Sequence, residues 1–407
     1  MSTPDVVVVG IGADGWRGLS PIAHDELTGA TMIAGSSRQL ELLPDLSART
    51  HVWSTPMLAD LRALLADPPA RPLHVLASGD PMFHGVGATI VGLLGAERVR
   101  VIPAVSSASL AAARMGWDLA RTPVISLVTD PVETILAHVS DGVRLLLLSR
   151  GADTPAAIAT TLCDNGFGES TITVLECLGG DEEAIESADA AQWRRSPGHD
   201  LNVVAVACRG PRISTAPGRP DTDFDSDGQL TKTAVRSLTL ALLRPAPRET
   251  LWDIGGGAGS VSIEWLLTEP TSRAVVFESD PDRRARIAHN AARHGVTTRL
   301  RIEGEAPAAL HDAPRPDAVF VGGGLTVAGM VETCWDAMAP GARLVANAVT
   351  LESETLVMDR QRSLGGDLRR IHIDHAAPLG GMTTWRPILP VTQWSVVKNT
   401  HTTEERP

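Results

Sequence analysis

A chain of 407 residues with a formal charge of -12 and 43% hydrophobic residues has an ordinary globular composition but exceeds what one hydrophobic core serves, so two domains of roughly 200 residues each are expected. The acidic balance repels polyanions and no basic stripe is interleaved with aromatics, so no nucleic acid partner is expected. No apolar run approaches the roughly eighteen residues of a membrane span, and no basic leader precedes the first strand, so no membrane contact and a cytoplasmic setting are expected.

Cys163, Cys177, Cys208 and Cys334 are scattered and form no Cys-x-x-Cys pair, which argues against structural zinc and against a disulfide scaffold; no metal is expected. Tyrosine is absent, so no tyrosine serves as acid, base or stacking platform.

In chain order the elements alternate as in an α/β fold. Residues 5–10 form a Val-rich run ending in Gly10, Gly12 and Gly15, which reads as a buried strand feeding a glycine loop. Helical periodicity over 20–27, a strand at 31–34 and a helix at 36–43 follow. The strand at 74–77 is broken by Ser78-Gly79-Asp80-Pro81 before a helix over 85–94. That loop lies at a strand's carboxyl end, where open α/β sheets bind ligands. After a strand at 99–102, residues 103–108 turn into a helix reaching Arg114, with Ser106 and Ser107 at its start. Serine there reads equally as a helix cap or a ligand contact. Strands at 124–128, 143–148, 172–175 and 202–207, with a helix over 154–165, complete the first half.

Residues 213–228, rich in Pro and Asp with almost no aliphatic side chain, read as a solvated linker between domains at 1–212 and 229–407. A helix over 231–243 precedes the most informative stretch of the chain, residues 251–263. There a short apolar strand meets Gly255-Gly256-Gly257-Ala258-Gly259, and Val261, Ile263, Leu266 and Leu267 then recur at helical spacing. Gly255, Gly257 and Gly259 let the backbone approach a nucleotide-bearing ligand, which the free N–H groups of the following helix face. The next strand, 274–277, ends in Glu278, where such folds place an acid on ribose hydroxyls. A nicotinamide or flavin fingerprint wants glycine at 260, which is Ser260, so hydride transfer is the weaker reading. Helices at 287–294, 327–338 and 353–364, strands at 299–302, 318–321 and 343–347, and closing strands at 368–373 and 393–397 continue the alternation.

Gly-x-Gly-x-Gly flanked by Asp253 and Glu278 is similar to Rossmann-like methyltransferases that bind S-adenosylmethionine. Residues 5–210, through Val6-Val-Val-Val-Gly10-Ile-Gly12, Ser78-Gly-Asp-Pro81, residues 103–108 and Glu176-Cys-Leu-Gly-Gly-Asp-Glu182, resemble the tetrapyrrole methylase family, most closely its CbiE branch. After Ser126-Leu127 the chain carries Val128-Thr129-Asp130 where that branch is expected to have His-Gly-Arg. Residues 229–400 resemble the CbiT methyltransferases through Thr231-Lys232-x-x-Val235-Arg236, residues 252–264, Gly304-Glu-Ala-Pro307, Gly322-Gly-Gly324 and Asn347-Ala-Val-Thr-Leu-Glu352.

The resemblance implies an N-terminal tetrapyrrole methylase domain plus a C-terminal class I Rossmann-like methyltransferase domain, with one S-adenosyl-L-methionine per domain. It places Gly12, Gly79, Asp80, Pro81, Ser106 and Ser107 at the first cofactor and substrate cleft. At the second it places Thr231, Gly255 to Gly259 including Gly256 and Ala258, Glu278, Gly304, Glu305 and Ala306; Glu305 stands where many relatives carry Asp. It further implies a precorrin substrate, methylated at C15 with loss of CO2 from the C12 acetate by the second domain and at C5 by the first, in cobalamin biosynthesis, and a homo-oligomer formed through the C-terminal domain.

A reduced tetrapyrrole supplies its own carbon nucleophile, so no activated Ser or Cys is required. The protein contributes alignment, which can be worth roughly 7–11 kcal/mol. The macrocycle can accept the electrons left by decarboxylation. Lys232, Arg236 and Arg386 are candidates for the substrate's carboxylates, each also reading as a solvated surface cation. Asp80 reads as a general base or as a loop-shaping residue, and His372 and His375 as weaker substrate contacts. A carrier without turnover and a methyltransferase for another small acceptor are the rival readings.

Overall fold

The computed structural model describes residues 4–68 and 71–399, which divide into two compact units: residues up to 132 with 139–212, and 133–138 with 213 onward. In the first unit, β1 (Val6–Ile11), α1 (Pro21–Thr28), β2 (Met32–Gly35), α2 (Ser37–Glu41), β3 (Arg49–Val52), α3 (Met57–Ala66), β4 (Leu73–Ser78), α4 (Val86–Leu94) and β5 (Val99–Ile102) build a parallel sheet in the order β3-β2-β4-β1-β5. The run of valines in β1 is buried on both faces, as a central parallel strand requires: Val7 and Val9 enter one cluster with Leu27 and Ile33, and Val6 and Val8 enter another with Leu61 and Ile90.

The chain continues through α5 (Ser107–Met115), β6 (Val124–Ser126), β7 (Arg144–Leu148), α6 (Thr154–Asp164), β8 (Thr171–Glu176), β9 (Ala184–Asp189) and β10 (Asn202–Ala207) into a second, mostly antiparallel sheet ordered β6-β7-β10-β8-β9. Ser106 caps α5, its Oγ accepting the Ser109 N–H at 3.0 Å, and left-handed Gly116 ends that helix.

The second unit comprises α7 (Thr233–Leu243), β11 (Thr250–Ile254), α8 (Ser260–Thr268), β12 (Arg273–Phe277), α9 (Pro281–Arg293), β13 (Leu300–Glu303), β14 (Ala318–Val321), α10 (Met330–Ala337), β15 (Arg343–Ala348), α11 (Leu351–Leu364), β16 (Asp367–Ile371), β17 (Asp374–Leu379), β18 (Met382–Pro387) and β19 (Val391–Val397). Seven strands order as β13-β12-β11-β14-β15-β19-β16, parallel except that β19 runs antiparallel to both neighbours. Strand alternation divides the core: Trp252 and Ile254 pack on one face, Leu251 on the other with Trp265 and Phe320. The hairpin β17–β18 stands apart from this sheet.

One expectation is corrected. Residues 213–228 are not a solvated connector but fold onto the second unit. Gly218 and Arg219 donate their N–H groups to Glu264 at 2.7 and 3.1 Å, Asn290 brackets the backbone of Asp225 with two 2.9 Å bonds, and Phe224 is buried. A segment poor in aliphatic residues is held here by polar side chains reaching its backbone, a mode of docking that composition does not register.

Candidate functional site

In the second unit the carboxyl ends of the central strands open into a cleft of about 1060 Å³. Its floor is the turn between β11 and α8. Gly257 has φ +58°, and a Cβ there would lie 2.7 Å from the Gln229 carbonyl, so the turn and the segment before α7 close together only because this residue is glycine. The N–H of Gly257 donates to Glu278 Oε2 at 2.9 Å, and Asp280 N–H donates to Oε1 at 3.1 Å, which fixes the acid at the end of β12 beside the turn.

Asp253, the penultimate residue of β11, accepts from Ser262 N at 3.2 Å and Ser262 Oγ at 2.7 Å. Burial pushes its carboxyl up to about 7 against those hydrogen bonds, with Glu278 adding to the rise, and its Oδ1 has no partner among the described residues. Thr231, Gly255, Gly256, Gly257, Glu278, Glu305 and Ala306 all line the cleft. Ala258, Gly259 and Gly304 do not: Ala258 is buried in the core, and left-handed Gly259 is the first residue before α8.

The cations fall out differently. Arg236 is not the solvated cation of one of its readings, and it does not line the cleft. Its side chain is fully buried, its Nε donates to Glu264 Oε1 at 2.7 Å, its Nη1 reaches Asp221 and the Thr231 carbonyl, its Nη2 reaches the Arg219 carbonyl, and its guanidinium lies 4.9 Å from the Phe224 ring. All its donors serve to clamp α7, α8 and the 213–228 segment together. Lys232 lines the cleft, half-exposed and 3.8 Å from Asp221.

His375 also lines the cleft, from β17, while His372 does not. Arg386 faces His375 across the hairpin and thus shares its side of the ribbon, but its only partner among the described residues is the Pro378 carbonyl at 3.4 Å. Ile373, Ile388 and Leu389 form an apolar wall that the sequence reading missed. The signal for the hairpin that brings them there was present as Gly380-Gly381 between two short runs.

In the first unit the loops after β1, β4 and β5 converge. A Cβ on Gly10 would lie 2.3 Å from the Gly79 carbonyl and 2.7 Å from Ala104 N, so a side chain there would drive the loops apart. Gly79 N–H donates to the Ile11 carbonyl at 2.9 Å, with Gly12 next in the chain. Asp80 Oδ1 accepts the Met82 N–H at 2.9 Å, the loop-shaping alternative, and Pro81 follows it in the same turn. Ser106 serves as the α5 cap and Ser107 is the first residue of that helix. At 128–130, Arg150 reaches in from the end of β7 and donates to the Val128 and Asp130 carbonyls at 3.1 Å each.

The fold of the second unit, a 3-2-1-4-5-7-6 sheet with a glycine turn and a terminal acid at its carboxyl edge, defines the class of Rossmann-like methyltransferases. Comparison with known proteins extends this to the whole chain. Residues 5–193 match the tetrapyrrole (corrin/porphyrin) methylases and residues 222–398 the precorrin methyltransferase domain. A Mycobacterium tuberculosis precorrin-6Y C(5,15)-methyltransferase [decarboxylating] is 47% identical over 97% of this chain and 100% of its own length.

Two shorter relatives each align with less than half of the chain. A probable cobalt-precorrin-6B C(15)-methyltransferase (decarboxylating) from Pyrobaculum aerophilum is 34% identical over 43% of this chain and 93% of its own length. A Salmonella typhimurium cobalt-precorrin-7 C(5)-methyltransferase is 29% identical over 49% of this chain and 98% of its own. The chain belongs to the family of precorrin-6Y C(5,15)-methyltransferases (decarboxylating). It is an enzyme, an S-adenosylmethionine-dependent methyltransferase. Among the described residues no helix is long and apolar enough to cross a membrane.

Proposed function

We propose that this chain methylates precorrin-6B (precorrin-6Y) at C5 and C15 and removes CO2 from the C12 acetate, giving precorrin-8X, with one S-adenosylmethionine site in each unit. The cleft of the second unit is read as the C15 methylation and decarboxylation site, and the converging loops of the first as the C5 site. The domains are accordingly 1–212 and 213–407, with 213–228 a docked arm of the second. Proteins that carry the two activities separately, each matching less than half of this chain, support the division. The single observation that carries the second site is the glycine turn closed against Gln229 and tied through Gly257 N–H to Glu278.

When bound, the sulfonium of S-adenosylmethionine supplies an electrophilic methyl group. In this reading Glu278 takes the ribose hydroxyls and Glu305 and Ala306 the adenine side, which their position in the cleft lining supports. Ile373, Ile388 and Leu389 present an apolar face to a macrocycle and exclude water from its ring carbons, while Lys232 and His375 stand at the cleft for its carboxylates. Among these groups the protein's contribution is orientation and desolvation rather than covalent catalysis.

The test is mass and absorbance analysis of the product after supplying precorrin-6B and S-adenosylmethionine. Two methyl groups gained with loss of CO2 are expected. A Gly257→Arg variant, its side chain driven into the Gln229 carbonyl, is expected to yield a single methylation and to retain the C12 carboxyl. No change in the tetrapyrrole with cofactor still bound would move the assignment to another methyl acceptor.

A further inference from the structure

In the first unit several surface arginines meet carboxylates: Arg17 pairs with Asp181, Arg98 with Asp5, Arg114 with Glu183 and Arg195 with Glu176. Arg38 does not. It is the second residue of α2, just past the carboxyl end of β2, and has no ion pair among the described residues. Its Nη2 donates to Ser78 Oγ at 2.8 Å, and Gln39 Nε2 donates to the same oxygen at 3.0 Å. Gln39 is itself fixed by the capping box of α2. Ser78 is the last residue of β4, stands opposite Ile11 in the sheet register, and leads directly into Gly79-Asp80-Pro81. The guanidinium is thereby anchored at the strand ends where Gly12 and the Gly79 turn meet.

A half-buried cation without a counter-ion is unfavourable, and burial pulls the Arg38 pKa below the usual arginine range. Its Nε and Nη1 have no partner among the described residues, which leaves part of the planar fork that matches a carboxylate still open. In a protein of net charge -12, a cation held unpaired at the edge where α/β sheets bind ligands is suited to an incoming anion.

We propose that Arg38, positioned by Ser78 and Gln39, binds a carboxylate in the active site of the first unit. The inference rests on reading that unit as the C5 methylation site. Two molecules that meet there carry the required group: the tetrapyrrole, through its acetate and propionate arms, and S-adenosylmethionine, through its amino-acid end.

The experiment uses the full chain with Arg38→Gln, which keeps a donor for Ser78 but removes the charge, and Arg38→Lys, which keeps the charge but not the fork. For each, KM of the tetrapyrrole in C5 methylation is measured, and S-adenosylhomocysteine binding is titrated in a Gly257→Arg background so that only the first unit responds. Loss of a charge-assisted hydrogen bond predicts a rise of about ten- to a hundredfold in Arg38→Gln, partly recovered in Arg38→Lys. A rise confined to KM assigns the tetrapyrrole carboxylate, and a rise confined to S-adenosylhomocysteine dissociation assigns the cofactor's. Both values within twofold of wild type, in variants with unchanged thermal melting, overturn the proposal. Wild-type protein that fails to methylate C5 refutes the reading of the unit instead, and the two failures are thus separable.

Discussion

Arg236 illustrates why a residue type at a motif position does not fix its role. Its guanidinium and the Glu264 carboxylate are both removed from water, with side-chain exposures of 0% and 2%, and each is also tied to the backbone of the 213–228 segment. Removing one partner of such a pair leaves an uncompensated charge in the interior, which costs about 3–5 kcal/mol. Arg236→Met is therefore expected to destabilise the second unit by about 3–5 kcal/mol in urea denaturation followed by tryptophan fluorescence. The folded fraction should keep a tetrapyrrole KM near that of wild type. An unchanged denaturation midpoint with a raised KM would return Arg236 to the substrate. The sequence offered Glu264 only as the last residue of the 252–264 stretch, 28 positions away, and nothing local couples the two.

Among the elements, the hairpin β17–β18 is the one that shapes the cleft without belonging to the sheet. β16 and β19 pair with each other directly through Ile371 and Val391, so the ribbon between them can be removed without breaking the ladder. Replacing residues 374–387 with a Gly-Ser link is expected to raise the tetrapyrrole KM for C15 methylation by about tenfold, the equivalent of one good contact. S-adenosylhomocysteine affinity at the second unit should not change, because the glycine turn and Glu278 follow β11 and β12. Loss of both together would show that the hairpin supports the sheet.

The same element marks the limit of what the sequence discloses. Buried strands such as β1, β10 and β14 announce themselves as short apolar runs, whereas β3, β9 and the hairpin are largely exposed, with no buried apolar run to read. α3 was legible in principle, since Leu61, Leu64 and Leu65 recur at helical spacing. The glycine turn was legible because it is contiguous. The apolar wall and Arg38 were not, because tertiary folding brings them to their sites.

At the scale of the whole molecule, the boundary between the units decides how the chain can be divided. Composition leaves 213–228 as a linker and starts the second domain at 229, whereas the contacts start the second unit at 213. The difference is sixteen residues that cover three buried polar groups of the second unit: Glu264 through Gly218 and Arg219, Arg236 through Arg219 and Asp221, and Asn290 through Asp225. They also insert Phe224 into a core cluster with Leu240, Leu243 and Trp265. A fragment of residues 229–407 would expose that cluster and leave Glu264 and Arg236 to balance each other without their backbone partners at Gly218 and Arg219. Burial of one phenylalanine contributes about 1.5–3 kcal/mol, and each hydrogen bond to a charged group about 1.5–3 kcal/mol. Their combined loss is comparable to the whole stability of a domain, about 5–15 kcal/mol. The fragment 213–407 is thus expected to unfold cooperatively in urea and to bind S-adenosylhomocysteine, while 229–407 is expected to be largely unfolded or aggregated under the same conditions. Equal midpoints for the two fragments would show that the segment merely lies on the surface and that the compositional boundary was the physical one.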